Sequence, residues 1–247
     1  MKSKNDEKEF AKERKENIKR LGSDKHLKAI ASAFMGQTTK DRYPYNFDWL
    51  GRPIIQYPED IVAIQELIWR VKPDLIIETG IARGGSLILS ASILELIGGK
   101  GKVLGIDVDI REHNRRSIES HRMFKRITMI EGSSTDPRIL QSVKKFTRSK
   151  KKTLVFLDSN HSHAHVLREL ELYSPFVSKG SYIVAFDTVA EFLQKGIIKN
   201  RPWGKGNSSW TAVKTFLHTH PDFIPDKEIE NKLVVTVAPG GFLRRVR

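Results

Sequence analysis

Short apolar runs that stop abruptly at an acid recur along the chain, with apolar residues at helical spacing between them. Residues 75–77 (LII), 102–107 (KVLGID), 126–131 (RITMIE), 152–158 (KTLVFLD) and 180–187 (GSYIVAFD) are such runs, and they close on Glu78, Asp107, Glu131, Asp158 and Asp187. Runs this dense in apolar residues belong to strands buried on both faces of a parallel sheet. Ile61, Ile64, Leu67 and Ile68 follow the helix start Pro58-Glu59-Asp60 and precede the stop at Pro73, and residues 87–97, 166–173 and 210–217 also read as helices. Near the C-terminus, residues 233–239 (LVVTVAP) and 241–246 (GFLRRV) read as two β-runs joined at Gly240-Gly241, a predicted antiparallel hairpin. Residues 1–30 are lysine- and glutamate-rich with sparse Phe10, Ile18, Leu21, Leu27 and Ile30, which predicts a solvated helix or a partly disordered arm. Tyr43, Tyr45, Phe47 and Trp49 crowd residues 38–50, and that much apolar area predicts a lid or a packing strap. The expected organisation is a helical arm and aromatic lid segment over 1–50, then an α/β, Rossmann-like, doubly wound and mostly parallel sheet over 51–247. Its site belongs at the carboxyl edge of the strands.

The chemistry concentrates on residues 71–86, VKPDLIIETGIARGGS. A strand, a glycine turn and a helix let the backbone approach a ligand with amide groups aimed at it. The turn is neither a GxxxxGK[ST] phosphate loop, since no lysine precedes Ser86, nor a GxGxxG dinucleotide fingerprint, since Ile81-Ala82 interrupts it. The remaining pattern, Glu78-x-Gly80-x-x-x-Gly84-Gly85-Ser86, resembles the first motif of S-adenosylmethionine-dependent methyltransferases, in which the acid and first glycine face the methionine end of the cofactor. Glycines needed only for close packing explain the same residues. Asp107, at the end of the second run, suits ribose hydroxyls, because a carboxylate accepts from two vicinal O–H groups. Ser134, after the third run, suits either an adenine edge or a helix cap before Pro137.

Composition narrows the classes. The 247 residues, 39% of them hydrophobic, suffice for one good core. Without cysteine there is no disulfide, thiolate zinc site or cysteine nucleophile. No apolar run approaches the roughly 20 residues of a membrane span, and the charged N-terminus has no signal-like core, so the expected address is cytoplasmic. The 43 Lys+Arg against 29 Asp+Glu give +14. These cations are spread over the N-terminal tail, residues 144–152 and Arg244, Arg245 and Arg247 without a nucleic-acid motif, so a solvated basic surface is expected and no nucleic-acid partner.

Several segments in order, GRPIIQYPED, IIETGIARGGS, LDSNHSHAHVLRELELY, SYIVAFDT, RPWGKGN and LVVTVAPGGFLRRV, resemble the cephalosporin hydroxylase / rhamnosyl O-methyltransferase family from about Gly51 to the C-terminus. The resemblance implies S-adenosylmethionine, methyl transfer to a hydroxyl of a sugar or glycan-type molecule, and a divalent metal, Mg2+, near the acceptor. It places Glu78, Gly80 and Ser86 on the cofactor, Asp107 on its ribose, Ser134 near its adenine, and Asp158 and Asp187 on the metal. The family commonly has Glu-Asp where this chain has Phe186-Asp187, so one usual oxygen ligand is missing. His161, three residues after Asp158, is the candidate general base. His165 is read either as part of this chemistry or as a capping or core histidine, and His163 as a solvent-exposed loop residue.

Two further functions compete with methyl transfer. Asp158, His161, His165 and Asp187 together would suit an iron- or zinc-type site of a metal-dependent hydroxylase. A cofactor-binding protein with impaired metal chemistry is the reading that Phe186 motivates. Residues 38–50 and 199–207 are expected to shape the acceptor pocket; Arg52, Arg201 and Lys205 point to an anionic acceptor, and a homo-oligomer is expected.

Overall fold

Strand-by-strand alternation of faces organises the structure, a computed structural model that describes residues 2–193, 197 and 201–247. Helices α1 (Lys2–Ser23) and α2 (Lys25–Lys40) lead to a short antiparallel pair, β1 (Asp48–Trp49) and β2 (Arg52–Pro53). Next come α3 (Pro58–Val71), β3 (Leu75–Thr79), α4 (Gly85–Ile97), β4 (Lys102–Asp107), α5 (Glu112–Glu119), β5 (Ile127–Glu131) and α6 (Pro137–Thr147). The chain continues through β6 (Thr153–Leu157), α7 (His163–Tyr173), β7 (Tyr182–Ala185), α8 (Ser209–Thr219), β8 (Phe223–Pro225), α9 (Lys227–Leu233) and β9 (Phe242–Arg245). The main sheet has seven strands in the order β5-β4-β3-β6-β7-β9-β8. The first five are parallel, and β9 runs antiparallel to both β7 and β8.

Both faces of the central strands are covered. Ile76, Leu154, Phe156, Tyr182, Val184 and Phe186 pack on the side of α3 and α4, whereas Leu75, Ile77, Val155, Leu157, Ile183 and Ala185 pack on the side of α7 and α8. A fully buried aliphatic side chain contributes about 1.5–3 kcal/mol, so burial fixes the register of β3, β6 and β7 before any polar contact forms. Glu78 and Asp158 follow the same alternation onto the α3/α4 side. The chain builds outward from β3 to β5 and then crosses back to β6, so β3 and β6 flank the topological switch point where such sheets take ligands.

The aromatic segment is a strap. The Tyr43 ring lies 5.4 Å from that of Tyr57 and 5.0 Å from that of Phe47, and Trp49 Nε1 donates to Ser92 Oγ on α4 at 3.0 Å. The lysine-rich arm is helical, with Ile18 of α1 and Ala31 and Met35 of α2 buried. Among the described residues no helix is long and apolar enough to cross a membrane.

The C-terminal antiparallel strands exist, but not as the predicted hairpin. Residues 234–239 are not a strand. The partner of β9 is β8, an edge strand that ends on Pro225, where a missing N–H costs no ladder bond. Asp226 then caps α9 by accepting from Glu228 N at 3.2 Å, and Ile229 and Leu233 bury one face of that helix. Residues 234–239 are held instead by α3: Asp60 accepts from Thr236 Oγ1 at 2.5 Å and from Val237 N at 2.9 Å. A buried carboxylate needs those donors more than the sheet needs another strand.

Candidate active site

Glu78, one residue before the end of β3, is almost wholly buried, at 2% exposure. Its Oε1 accepts from Ser86 Oγ on the first turn of α4, while Oε2 has no partner among the described residues. Burial pushes its carboxyl up to about 7, opposed by the Ser86 bond. Gly80 follows with φ +89°, and a Cβ there would lie 2.1 Å from the carbonyl oxygen of Asp158. Gly84 takes the left-handed N-cap position of α4, and a Cβ on Gly85 would lie 2.3 Å from the Pro53 carbonyl oxygen. Close packing therefore accounts for Gly80 and Gly85, and the same packing brings the ends of β3 and β6 together.

Asp107 lies on the same sheet edge as Glu78, one strand away. Its Oδ2 accepts from Ile81 N at 2.7 Å and Ala82 N at 3.2 Å, and its Oδ1 from Asp109 N at 3.1 Å. It clasps the glycine turn and keeps lone pairs of Oδ1 for a further donor. Ser134 is buried; its Oγ sits 3.3 Å from His165 Nε2 and its carbonyl accepts from Tyr173 OH at 2.8 Å.

Asp158 and Asp187 follow β6 and β7 on the opposite side of Glu78 from Asp107. His161 Nε2 is 3.1 Å from Asp187 Oδ2, and one ligand atom each from Asp158, His161 and Asp187 all lie within 4.8 Å of one another. His165 does not join them: its Nε2 faces Ser159 Oγ at 3.1 Å and Glu169 Oε1 at 3.4 Å, and the Glu169 bond raises its pKa. His163, expected as a solvent-exposed loop residue, is half-buried, with Nδ1 2.9 Å from Thr211 Oγ1. Phe186 is buried with its ring 6.0 Å from that of Phe156. It forms an apolar wall, in keeping with the missing oxygen ligand expected at this position.

Sequence reasoning missed three polar groups here. Gln56 Nε2 donates to Asp158 Oδ2 at 3.1 Å, and its Oε1 is buried without a partner among the described residues. Asp60 was read only as a helix-start acid, yet it is fully buried and pushed up to about 7 by that burial. Glu169, fully buried on α7, accepts from Ser159 Oγ at 2.8 Å, and its spacing of four from His165 was the available signal. Asp158 is raised well above the usual carboxylate range, first by burial and then by Asp187, Glu78, Asp60 and Glu169. A cluster of carboxylates that raise one another, with unpartnered oxygens between them, is a place suited to cations.

The loop that follows borders this cluster. Trp203 meets the His161 ring edge-on at 5.1 Å, and the Arg201 guanidinium lies 5.0 Å from the Trp203 ring centre. Glu191 anchors the loop by accepting from Gly206 N at 3.0 Å and Ser208 Oγ at 2.6 Å. Of the segment expected to shape an acceptor pocket, residues 199 and 200 lie outside the described residues.

A family model, rhamnosyl O-methyltransferase/CmcI, matches residues 41–246. Rhamnosyl O-methyltransferase of Mycobacterium bovis (strain BCG / Pasteur 1173P2) is 34% identical over 190 residues, 75% of this chain and 73% of that protein. The protein of the same name from Mycobacterium leprae (strain TN) is 29% identical over 199 residues, 80% of this chain and 82% of that protein. Among solved structures, a CmcI apo-structure gives a TM-score of 0.61 at 18% identity, over 82% of this chain and 77% of that one. A CmcI structure with Mg and SAM gives 0.59 at 18% identity, over 82% and 78%.

Proposed function

The chain belongs to the rhamnosyl O-methyltransferase/CmcI family, and from that membership we propose that it is an S-adenosylmethionine-dependent O-methyltransferase acting on a sugar hydroxyl with Mg2+. The observation that carries this reading is the carboxyl-edge cluster: the donors of Asp158, His161 and Asp187 within 4.8 Å, next to buried Glu78 with one oxygen free. The residues fit both groups. A hard cation takes oxygen ligands and is held by one or two carboxylates plus waters, so Asp158 and Asp187 suffice with Phe186 in place. Glu78 and the first turn of α4 would take the methionine end of the cofactor, and Asp107 and Ser134 its nucleoside end.

When bound, these groups supply a methyl on a sulfonium and a positive charge that orients the acceptor hydroxyl and lowers its pKa. His161 takes the hydroxyl proton as the oxygen–methyl bond forms and the methyl–sulfur bond breaks. Asp187 accepts from Nε2, which leaves Nδ1 as the lone-pair nitrogen, and the Asp187 carboxylate stabilises the imidazolium that results. Trp203 packs its edge on that ring and fixes its plane. Phe156 and Phe186 keep water from the floor of the site, and the closeness of β3 to β6 through Gly80 fixes the distance between cofactor and metal ligands. Trp203 and Arg201 form the outer wall, where the acceptor ring and any acid group on it would sit.

Two carboxylates, with waters completing the shell, make an oxygen donor set that suits magnesium better than the two-histidine, one-carboxylate set of iron oxygenases. Incubation with methyl-labelled S-adenosylmethionine and a panel of rhamnosyl and other hexosyl acceptors tests the reading. Label in the acceptor, abolished by chelation and restored by Mg2+, is expected; iron-dependent oxygen consumption without methyl transfer would replace it with a hydroxylase.

A further inference from the structure

The two basic runs that methyl transfer leaves unused converge at the other end of the sheet. Lys150 and Lys151 precede β6, Lys179 precedes β7, and Arg245 closes the antiparallel β9, so all four meet at the amino edge of the parallel strands. They line a recess of about 450 Å3 to which Thr147, Phe176 and Ser178 also contribute and no carboxylate does. The length of β6, roughly 15 Å at about 3.3 Å per residue, separates this recess from Asp158.

Its lysines are not spent on acids. Among the described residues the lysines in ion pairs are Lys125 and Lys232. The nearest acids are occupied: Asp74 accepts from the backbone N–H groups of Lys151 and Lys152 at 3.1 and 3.0 Å, and Asp222 pairs with Arg245 at 3.3 Å. Arg245 is also rigidly placed, with Nη1 donating to the Val177 carbonyl at 2.7 Å and Nε to the Arg247 carbonyl at 2.9 Å. Three lysine ammonium groups lining one recess beside a fixed guanidinium are an arrangement for phosphate-type oxyanions. Carboxylates crowd one end of the strands, whereas Lys150, Lys151 and Lys179 at the other have no ion-pair partner among the described residues, so the two ends concentrate ions of opposite sign.

We propose that this recess is a second binding site, distinct from the carboxyl-edge cluster, for a phosphate group carried by a soluble metabolite or by a membrane phospholipid. The proposal is independent of methyl transfer. It is tested with inorganic pyrophosphate, titrated calorimetrically, and with phosphatidylcholine vesicles containing or lacking phosphatidylglycerol, in co-sedimentation. Two charge-matched triple variants are compared, K150E/K151E/K179E in the recess and K8E/K12E/K15E on the exposed face of α1, with thermal midpoints confirming that both fold. Reversing three charge-assisted contacts should weaken binding at least about tenfold in the recess variant and less than about twofold in the α1 variant. Loss of pyrophosphate binding in the recess variant alone identifies a soluble ligand; loss of vesicle binding alone identifies a headgroup. Equal losses in the two variants, or none in the recess variant, would show only the general charge of the protein and overturn the proposal.

Discussion

Glu78→Gln separates the burial cost of the acid proposed to meet the cofactor from its use. The folded carboxyl is pushed from 4.5 up to about 7 because burial disfavours its charge. Below pH 4.5 it is protonated folded and unfolded alike. As pH rises towards 7 the unfolded chain ionises first, so the folded state loses stability, and above about 7 the loss is complete. The gap between 4.5 and about 7, at about 1.4 kcal/mol per pH unit, comes to about 3 kcal/mol. Glutamine keeps an oxygen for Ser86 Oγ and cannot ionise. Its unpartnered amide adds a cost that does not change with pH. Urea unfolding of the cation-free protein at pH 5 and pH 8 therefore reads the difference directly. The wild type should lose about 2.5 kcal/mol more than the variant between the two, since part of the loss is already present at pH 5, while the variant binds S-adenosylmethionine about tenfold more weakly for want of the charge. Equal pH slopes for the two proteins would refute the assignment of Glu78 as a strained, ligand-awaiting acid.

Phe186→Glu should raise Mg2+ affinity about tenfold by adding a third carboxylate, at about 3 kcal/mol of metal-free stability; calorimetry with MgCl2 reads the first and urea unfolding the second, and an unchanged affinity would remove position 186 from the metal's reach. Gly80→Ala places a methyl against the Asp158 carbonyl at a positive φ and should cost at least about 2 kcal/mol, so a thermal midpoint within error of wild type would show that β3 and β6 are not so close. His161→Gln should lower kcat by about 10²–10⁴ and leave Mg2+ and S-adenosylmethionine dissociation constants nearly unchanged; loss of Mg2+ binding would make His161 a ligand and move the base elsewhere. Arg201→Gln should raise the KM of an acid-bearing acceptor and flatten its salt dependence, and no change in either would make the acceptor neutral at that wall.

The doubly wound sheet was legible because burial on both faces writes a continuous apolar run, and Leu75, Ile76 and Ile77 can hardly be anything else. The acids at the strand ends were legible for the same reason, each standing out where its run stops. The C-terminus was misread at residues 233–239 because Val234, Val235 and Val237 favour strands on their own, while a tertiary contact, the demand of buried Asp60 for donors, holds that segment away from the sheet. Spacing also could not show that Asp107 grips the glycine turn, since those bonds join segments distant along the chain, whereas the four-residue spacing of His165 from Glu169 was visible but equals its spacing from His161. Gln56 lay in a quoted segment, but a lone amide carries no chemical signal until Asp158 is placed beside it.

The central claim is that one sheet edge holds a sulfonium nucleoside and a divalent cation side by side through separate carboxylates. Calorimetric titration of wild type, Asp158→Ala and Asp187→Asn with S-adenosylmethionine, S-adenosylhomocysteine and MgCl2 tests it most directly. The account predicts that all three proteins bind both nucleosides while only the wild type binds Mg2+ well. Absence of nucleoside binding to the wild type, or Mg2+ affinity that survives both substitutions, would contradict it.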